Sequence, residues 1–122
     1  EFDGPGGTGA QLRLQGSTQR GHDGAGGVHH VAWRVRDSQE LSDWQKHLEN
    51  NGCRTSGEVE RHYFKSLYFR IPGGILFEIA TDNPGFAVDE PVESLGQALM
   101  LPAQHEPLRA QLTRILLPLR VA

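Results

Sequence analysis

The chain has 122 residues, of which 37% are hydrophobic and 22% charged, and its formal net charge is −3 with histidine counted as neutral. This is the size and composition of one globular domain, and the acidic balance argues against a nucleic-acid-binding protein, which usually carries a basic patch. No stretch has the roughly 18 to 20 apolar residues of a membrane span or the pattern of a signal peptide, and the single Cys53 excludes an internal disulfide, so we expect a cytoplasmic protein without membrane contact.

The first 27 residues are rich in glycine. Nine of the 15 glycines lie in this stretch, and only three large apolar side chains accompany them. Such a segment buries too little surface to offset the entropy cost of ordering its backbone. We therefore predict a linker or loop over residues 1–27, with a short extended piece around Gln11–Gln15.

A strand and a helix are predicted next. Residues 28–35 (VHHVAWRV) alternate with a period of two, which is typical of a half-buried strand. Asp37 is then placed to cap a helix, with Glu40 completing a capping box, and Gly52 is placed to end it. The helix carries one apolar stripe, formed by Leu41, Trp44 and Leu48.

Three further strands complete a β-α-β-β-β order, which predicts the α+β class. They are predicted over Arg54–Glu60, His62–Arg70 and Ile75–Asp82, and a turn at residues 72–74 joins the last two. The helix stripe is expected to cover the apolar face of this sheet. Alternation assigns the following side chains to that face: Trp33, Val35, Leu67, Phe69, Ile75, Phe77 and Ile79.

The C-terminal stretch is predicted to form two amphipathic helices. Pro91 and Pro107 are each placed to open one of them. Their apolar faces would pack on the module or on a neighbour, and carry Val92, Leu95 and Leu99 in the first helix and Leu108, Leu112, Ile115 and Leu116 in the second. We thus divide the chain into the linker, a module over residues 28–86 and a helical extension over residues 87–122.

The opposite face of the sheet is predicted to be polar, and it brings together His30, Arg34, Tyr68, Arg70 and Glu78. Such a group is costly to bury unless it has a use. Histidine nitrogen and carboxylate oxygen suit divalent iron, manganese, zinc or nickel, and two histidines with one carboxylate form the site of non-haem iron oxygenases. His30 and Glu78 supply one ligand of each kind, so a third ligand has to come from elsewhere.

Each of these residues also has an ordinary structural interpretation. His30 can be a histidine hydrogen-bonded within a sheet, and Glu78 can be the salt-bridge partner of Arg34 or Arg70. Tyr68 can be an amphipathic strand residue with a solvated hydroxyl. His29 falls on the face of Trp33, which favours a structural or orienting role.

The motifs VHHVAWRV and RHYFKSLYFRIPGGILFEIATDNPGF, on either side of the capped helix, resemble a module of the vicinal oxygen chelate superfamily. This superfamily includes glyoxalase I, type I extradiol dioxygenases and the fosfomycin and bleomycin resistance proteins. The stretches FEIATD, GFAVDEPVESLG and LPAQHEPLRAQLTRILLPL are more specifically similar to the C-terminal module of glyoxalase-like dioxygenases that cleave hydroquinone rings.

The resemblance implies one βαβββ module, which is half of an open barrel around a metal. It implies that His30 and Glu78 are metal ligands, that Tyr68 binds and deprotonates a diol, and that His62 takes part in proton transfer. A second βαβββ module is then expected as partner, either from a longer chain or from a homodimer, which would supply His30 and Glu78 twice.

Three hypotheses about function follow from the resemblance. The first is an Fe(II)-dependent extradiol-type dioxygenase module for a hydroquinone- or catechol-like diol, in which Arg34 or Arg70 balances the charge of the bound diolate; manganese, nickel or zinc are alternative metals. The second is a glyoxalase-type, metal-dependent isomerase or lyase that needs no oxygen. The third is a non-catalytic module that binds a small molecule, as antibiotic-resistance proteins do.

Overall fold

The computed structural model describes residues 2–3, 11–19, 21–22 and 24–117. In the segment predicted as a linker it contains two short antiparallel strands, β1 (Phe2–Asp3) and β2 (Gln11–Leu12). Strand β2 agrees with the extended piece predicted at this point. Positions 1, 4–10, 20 and 23 of the predicted linker lie outside the described residues. The division of the chain into three parts stays a prediction.

The predicted α+β module is confirmed as four strands and one helix. Its elements are β3 (Val31–Val35), α1 (Ser38–Asn50), β4 (Thr55–Glu60), β5 (Lys65–Arg70) and β6 (Leu76–Thr81). The strand order in the sheet is β3-β6-β5-β4, with β3 parallel to β6 and the other pairs antiparallel. The first and last strands of the module are therefore neighbours, with β3 at one edge of the sheet.

Helix α1 begins and ends at the predicted residues. The Asp37 carboxylate accepts a hydrogen bond of 2.9 Å from the Glu40 backbone N–H, and Gly52 follows the helix in the left-handed region at φ 77°. The capping box differs by one residue from the expectation. The Glu40 carboxylate accepts from the backbone N–H and the guanidinium of Arg36, at 2.8 and 2.9 Å, and not from Asp37.

The helix covers one face of the sheet, as the two apolar patterns predict. The buried core comprises Val35, Leu41, Leu67 and Ile79, with Leu48 and Phe69 packed against it. The assignment of Trp44 to the stripe that covers the sheet was wrong. Its side chain is 42% exposed and packs edge-on against the His47 ring. At about 100° per residue, Trp44 lies about 60° around the helix from Leu41, whereas Leu48 lies about 20° away and faces the sheet.

Two strands begin three residues later than predicted. Strand β3 begins at Val31 and not at residue 28, so His30 precedes it. Strand β5 begins at Lys65, because His62 adopts a left-handed backbone with φ 70°, which a strand does not accommodate. Ile75, assigned to the apolar face, precedes β6 and is exposed.

The C-terminal extension is less helical than predicted. In place of the helix expected after Pro91 there is one turn of 3-10 helix, Val92–Ser94, because the backbone is extended at Leu95 with ψ 128° and Gly96 then adopts φ 78°. The second helix is present as α2 (Arg109–Ile115), which follows a 3-10 segment over Ala103–Leu108. Among the described residues, no helix has the length and apolar character needed to cross a membrane.

Candidate functional site

His30 and Glu78 meet on the face of the sheet that α1 leaves open. Strands β3 and β6 pair in parallel with Ala32 opposite Glu78, and His30 lies two residues before Ala32, just ahead of the strand. Nε2 of His30 is 2.7 Å from Oε2 of Glu78. The Glu78 side chain is only 5% exposed, whereas the His30 side chain is 32% exposed, so the imidazole is the more solvent-accessible of the two groups.

The other carboxylate oxygen of Glu78 has two hydroxyl partners. Tyr68 stands directly opposite Glu78 in the β5–β6 ladder, and its hydroxyl donates a hydrogen bond of 2.9 Å to Oε1. Ser66, two residues earlier on the same face, also donates its hydroxyl to Oε1. Within the described part of the chain, every buried side-chain polar atom has a partner, so the cost of burying this carboxylate is offset.

The His30 ring is held on two further sides. Its Nδ1 lies 2.7 Å from Nδ1 of His29, and its ring meets the Tyr68 ring edge-on, with 5.9 Å between the centroids. His29, like His30, precedes the strand, so its assignment to the face of Trp33 stays a prediction. The contact agrees with the orienting role, since a metal-binding histidine usually has a partner at its second nitrogen.

The donor atoms suit two ligands of a divalent metal. Metal bonds to histidine nitrogen and carboxylate oxygen are about 2.1 Å long, so two such ligands at a right angle place their donor atoms about 3 Å apart. Nε2 of His30 and Oε2 of Glu78 are 2.7 Å apart. No group of three possible metal ligands occurs among the described residues, and the expectation that a further ligand comes from elsewhere stays a prediction.

Arg34 and Arg70 have partners away from Glu78. Arg34 Nε lies 3.0 Å from Asp82 Oδ2 on the surface, and Arg70 Nη1 donates to the Gly74 carbonyl at 2.6 Å. The interpretation of Glu78 as the salt-bridge partner of either arginine was therefore wrong.

Arg61, which the sequence pattern did not single out, lies over the Tyr68 ring with 5.8 Å to its centroid. It precedes the bend that leads into β5, where strand alternation gives no signal. The site therefore has a cation beside the phenol that was not among the predicted substrate contacts.

His62 faces the C-terminal extension. Its Nε2 is 2.7 Å from Oδ2 of Asp89, and among the described contacts none joins His62 to His30, Tyr68 or Glu78. The hydrogen bond from His62 holds the pKa of Asp89 below its ordinary value. Burial, followed by the hydrogen bond and charge of Asp89, raises the pKa of Tyr63. His62 thus belongs to a contact between the β4–β5 connection and the extension.

Ser66 is a second site residue that the sequence analysis did not single out, although strand alternation places it on the polar face. It lies on the same strand as Tyr68 at a spacing of two, so alternation assigns both to the polar face. A serine does not by itself suggest metal chemistry, and only the position of Glu78 on the neighbouring strand gives this hydroxyl a partner.

Comparison with known proteins finds a matching family model and similar proteins. The model of the family "Glyoxalase/Bleomycin resistance protein/Dioxygenase superfamily" matches residues 1–79. The chain is 51% identical over 102 residues to "Putative ring-cleaving dioxygenase MhqO" of Bacillus subtilis, covering 84% of this chain and 33% of that protein. It is 38% identical over 92 residues to "Chlorohydroquinone/hydroquinone 1,2-dioxygenase" of Sphingobium indicum, covering 75% of this chain and 28% of that protein.

A solved structure supports the same relationship. The crystal structure of a "putative dioxygenase" from Bacillus subtilis superposes with a TM-score of 0.81 at 50% sequence identity, over 86% of this chain and 34% of that one. The chain thus spans about a third of the length of these relatives.

Proposed function

Because the chain belongs to the glyoxalase/bleomycin resistance protein/dioxygenase superfamily, we propose that it is one module of a metal-dependent, ring-cleaving dioxygenase. The single observation that carries this proposal is the contact between His30 and Glu78 at 2.7 Å on the open face of the sheet. The proposed substrate is an aromatic diol of the hydroquinone or catechol kind. The relative named as a hydroquinone dioxygenase supports this substrate class.

In this proposal His30 Nε2 and Glu78 Oε2 hold a divalent metal, Fe(II) in the first instance. A bound Fe(II) supplies the one-electron chemistry that lets dioxygen react with an aromatic diol. The residues themselves act on protons and charge. The Tyr68 hydroxyl, which donates to Glu78 Oε1 at 2.9 Å, is placed to exchange a proton with a diol hydroxyl that binds beside it. The reaction is proposed to be of the extradiol type.

Positive charge near the phenol is proposed to balance the anionic diolate. Arg61 lies over the Tyr68 ring, while Arg34 and Arg70 are held by Asp82 and Gly74. Arg34 and Arg70 stay predicted substrate contacts. His62 stays a predicted participant in proton transfer, and its Nε2 pairs with Asp89.

A second βαβββ module is proposed to complete the site. Two ligands are too few for a metal that has to bind substrate as well, and His30 is partly open to solvent at the face where a partner would stand. The partner is either another module of a longer protein or a second copy of this chain. The relatives, about three times as long as the matched region, have room for several modules.

The first experiment measures iron. The chain is purified without oxygen, loaded with Fe(II) and freed of excess metal, and its iron content and molecular mass are determined for the wild type, His30→Ala and Glu78→Gln. We expect iron in the wild type and at least a tenfold loss in both variants. His47→Ala is the matched control, since His47 is an exposed histidine of α1. Full iron content in both site variants would contradict the proposal.

The second experiment separates the reaction types. Oxygen uptake with hydroquinone and with catechol is expected from the iron-loaded protein. Turnover of a thiohemiacetal without oxygen uptake would instead favour the isomerase. A monomeric protein that takes up no Fe(II) would favour the non-catalytic binding module over a metal site shared between two copies of this chain.

A further inference from the structure

Ser66 is a buried hydroxyl whose position relative to Glu78 has a chemical consequence. It lies on β5 with none of its surface exposed, opposite Ala80 of β6 and Val59 of β4. Its hydroxyl donates to Glu78 Oε1. A buried hydroxyl is costly without a partner, and among the described side chains Glu78 is that partner.

The two oxygens of Glu78 therefore have unequal surroundings. Among the described residues, Oε1 accepts from two hydroxyls, those of Ser66 and Tyr68, while the partner of Oε2 is His30. The last torsion of a glutamate side chain is broad and has little preference of its own. These hydrogen bonds thus decide which oxygen points towards the position of the metal.

We propose that Ser66 is a positioning residue whose hydrogen bond keeps Oε1 away from the metal, so that Glu78 binds the metal through Oε2 only. This inference rests on the proposed function, because it concerns the same metal position. A carboxylate that binds through one oxygen occupies one coordination position, and one that binds through both occupies two. Ser66 would thus keep one more position open for the oxygens of the diol and dioxygen.

The contribution of Tyr68 differs from that of Ser66. Tyr68 is half-buried and lies beside the open face, where its hydroxyl can leave Glu78 to exchange a proton with substrate. The fully buried Ser66 hydroxyl stays on Oε1 during that exchange. This is the reason for assigning the orientation of the carboxylate to Ser66.

The test is infrared difference spectroscopy of the chain with and without Fe(II), using protein with ¹³C-labelled glutamate. The separation of the two carboxylate stretching bands is larger for a carboxylate bound through one oxygen than through both. Glu78→Gln identifies the bands of Glu78 by their loss. We expect a large separation in the wild type and a narrowed one in Ser66→Ala.

Two further variants control for shape and for the loss of a serine. Ser66→Cys keeps a side chain of similar size but offers only a weak donor, so a narrowed separation is expected there too. Ser42→Ala removes a hydroxyl that donates to Glu58 away from the site. This variant should leave the separation of the Glu78 bands unchanged. Circular dichroism of each variant checks that it is folded.

The outcomes distinguish the two proposals. A Glu78 band that responds to Fe(II) but is the same in wild type, Ser66→Ala and Ser66→Cys would overturn the role of Ser66 and leave the metal site standing. A small separation already in the wild type would do the same. If Fe(II) changes no band of Glu78 in the wild type, the proposed metal site itself is overturned, and the role of Ser66 with it.

Discussion

Tyr68 and Glu78 are directly opposite residues of the β5–β6 ladder, and the Tyr68 hydroxyl donates a hydrogen bond of 2.9 Å to Oε1 of Glu78. Their contact depends on the register of the sheet, since a slip by one residue would turn one of the two side chains to the helix-covered face. The phenol is thereby kept beside the carboxylate without any loop having to close. This makes Tyr68 the first residue whose chemistry can be tested separately from metal binding.

Replacing Tyr68 by phenylalanine should separate proton transfer from metal binding. The ring is kept, and Ser66 still donates to Oε1, so iron content should stay close to that of the wild type. Loss of a general base commonly costs a factor of about 10² or more in rate, and we expect a fall of that order in oxygen uptake with catechol. Tyr63→Phe, which changes a tyrosine beside Asp89, is the control. Undiminished oxygen uptake in Tyr68→Phe would contradict the proton-transfer role.

Replacing Arg61 by glutamine should weaken binding of an anionic diol. An exposed ion pair contributes about 0.2–1 kcal/mol, so KM for catechol should rise by about fivefold at most, with kcat less affected. The rise should shrink as salt is added, because salt screens exposed charges. Arg54→Gln, at an exposed arginine before β4, is the matched control. An equal change in KM for both variants would show that Arg61 has no specific role.

The pair of His62 and Asp89 should make stability depend on acid pH. The hydrogen bond from His62 lowers the pKa of Asp89 in the folded chain. A lowered pKa means that the unfolded chain binds the proton more readily. The stabilisation is therefore fully present above the ordinary aspartate pKa of about 3.9 and is lost as pH falls through the lowered value.

Asp89→Asn tests this dependence through the free energy of unfolding in urea, measured over a range of pH. The wild type should be more stable than the variant above about pH 4, and the difference should disappear in stronger acid. A second readout is the absorbance of tyrosinate in the Tyr68→Phe background, where Tyr63 is the remaining tyrosine. The pKa of Tyr63 should fall in Asp89→Asn but stay above its ordinary value, because burial is the largest cause of its shift. A difference in stability that does not vary with pH would contradict the assignment.

The cap of α1 should contribute measurably to the stability of the module. Asp37→Ala removes the acceptor of the Glu40 N–H and should lower the free energy of unfolding by about 1 kcal/mol. Asp37→Asn keeps an acceptor and should lose much less. Urea unfolding of both variants, followed by circular dichroism, checks this expectation. Equal losses would point to the charge of Asp37 as the stabilising feature.

Most of the sheet and its two faces could be predicted from the sequence. Side chains of a strand alternate between faces, so the pattern of Leu67, Tyr68 and Phe69 assigns the phenol to the polar side without any tertiary information. The same rule failed where the backbone leaves the strand conformation. At His62 the left-handed backbone turns the side chain towards Asp89, a residue of the extension that no local pattern connects with it.

The sequence by itself determined the α+β order, the caps of α1 and which residues share the polar face, because these depend on neighbours within a few positions of the chain. Only the tertiary structure decided that His30 and Glu78 meet, since their contact requires the parallel pairing of the first and last strands of the module. It also decided that both Ser66 and Tyr68 donate to the same oxygen of Glu78. Such contacts depend on the register between strands that lie far apart in the chain, which no pattern within a few neighbouring residues specifies.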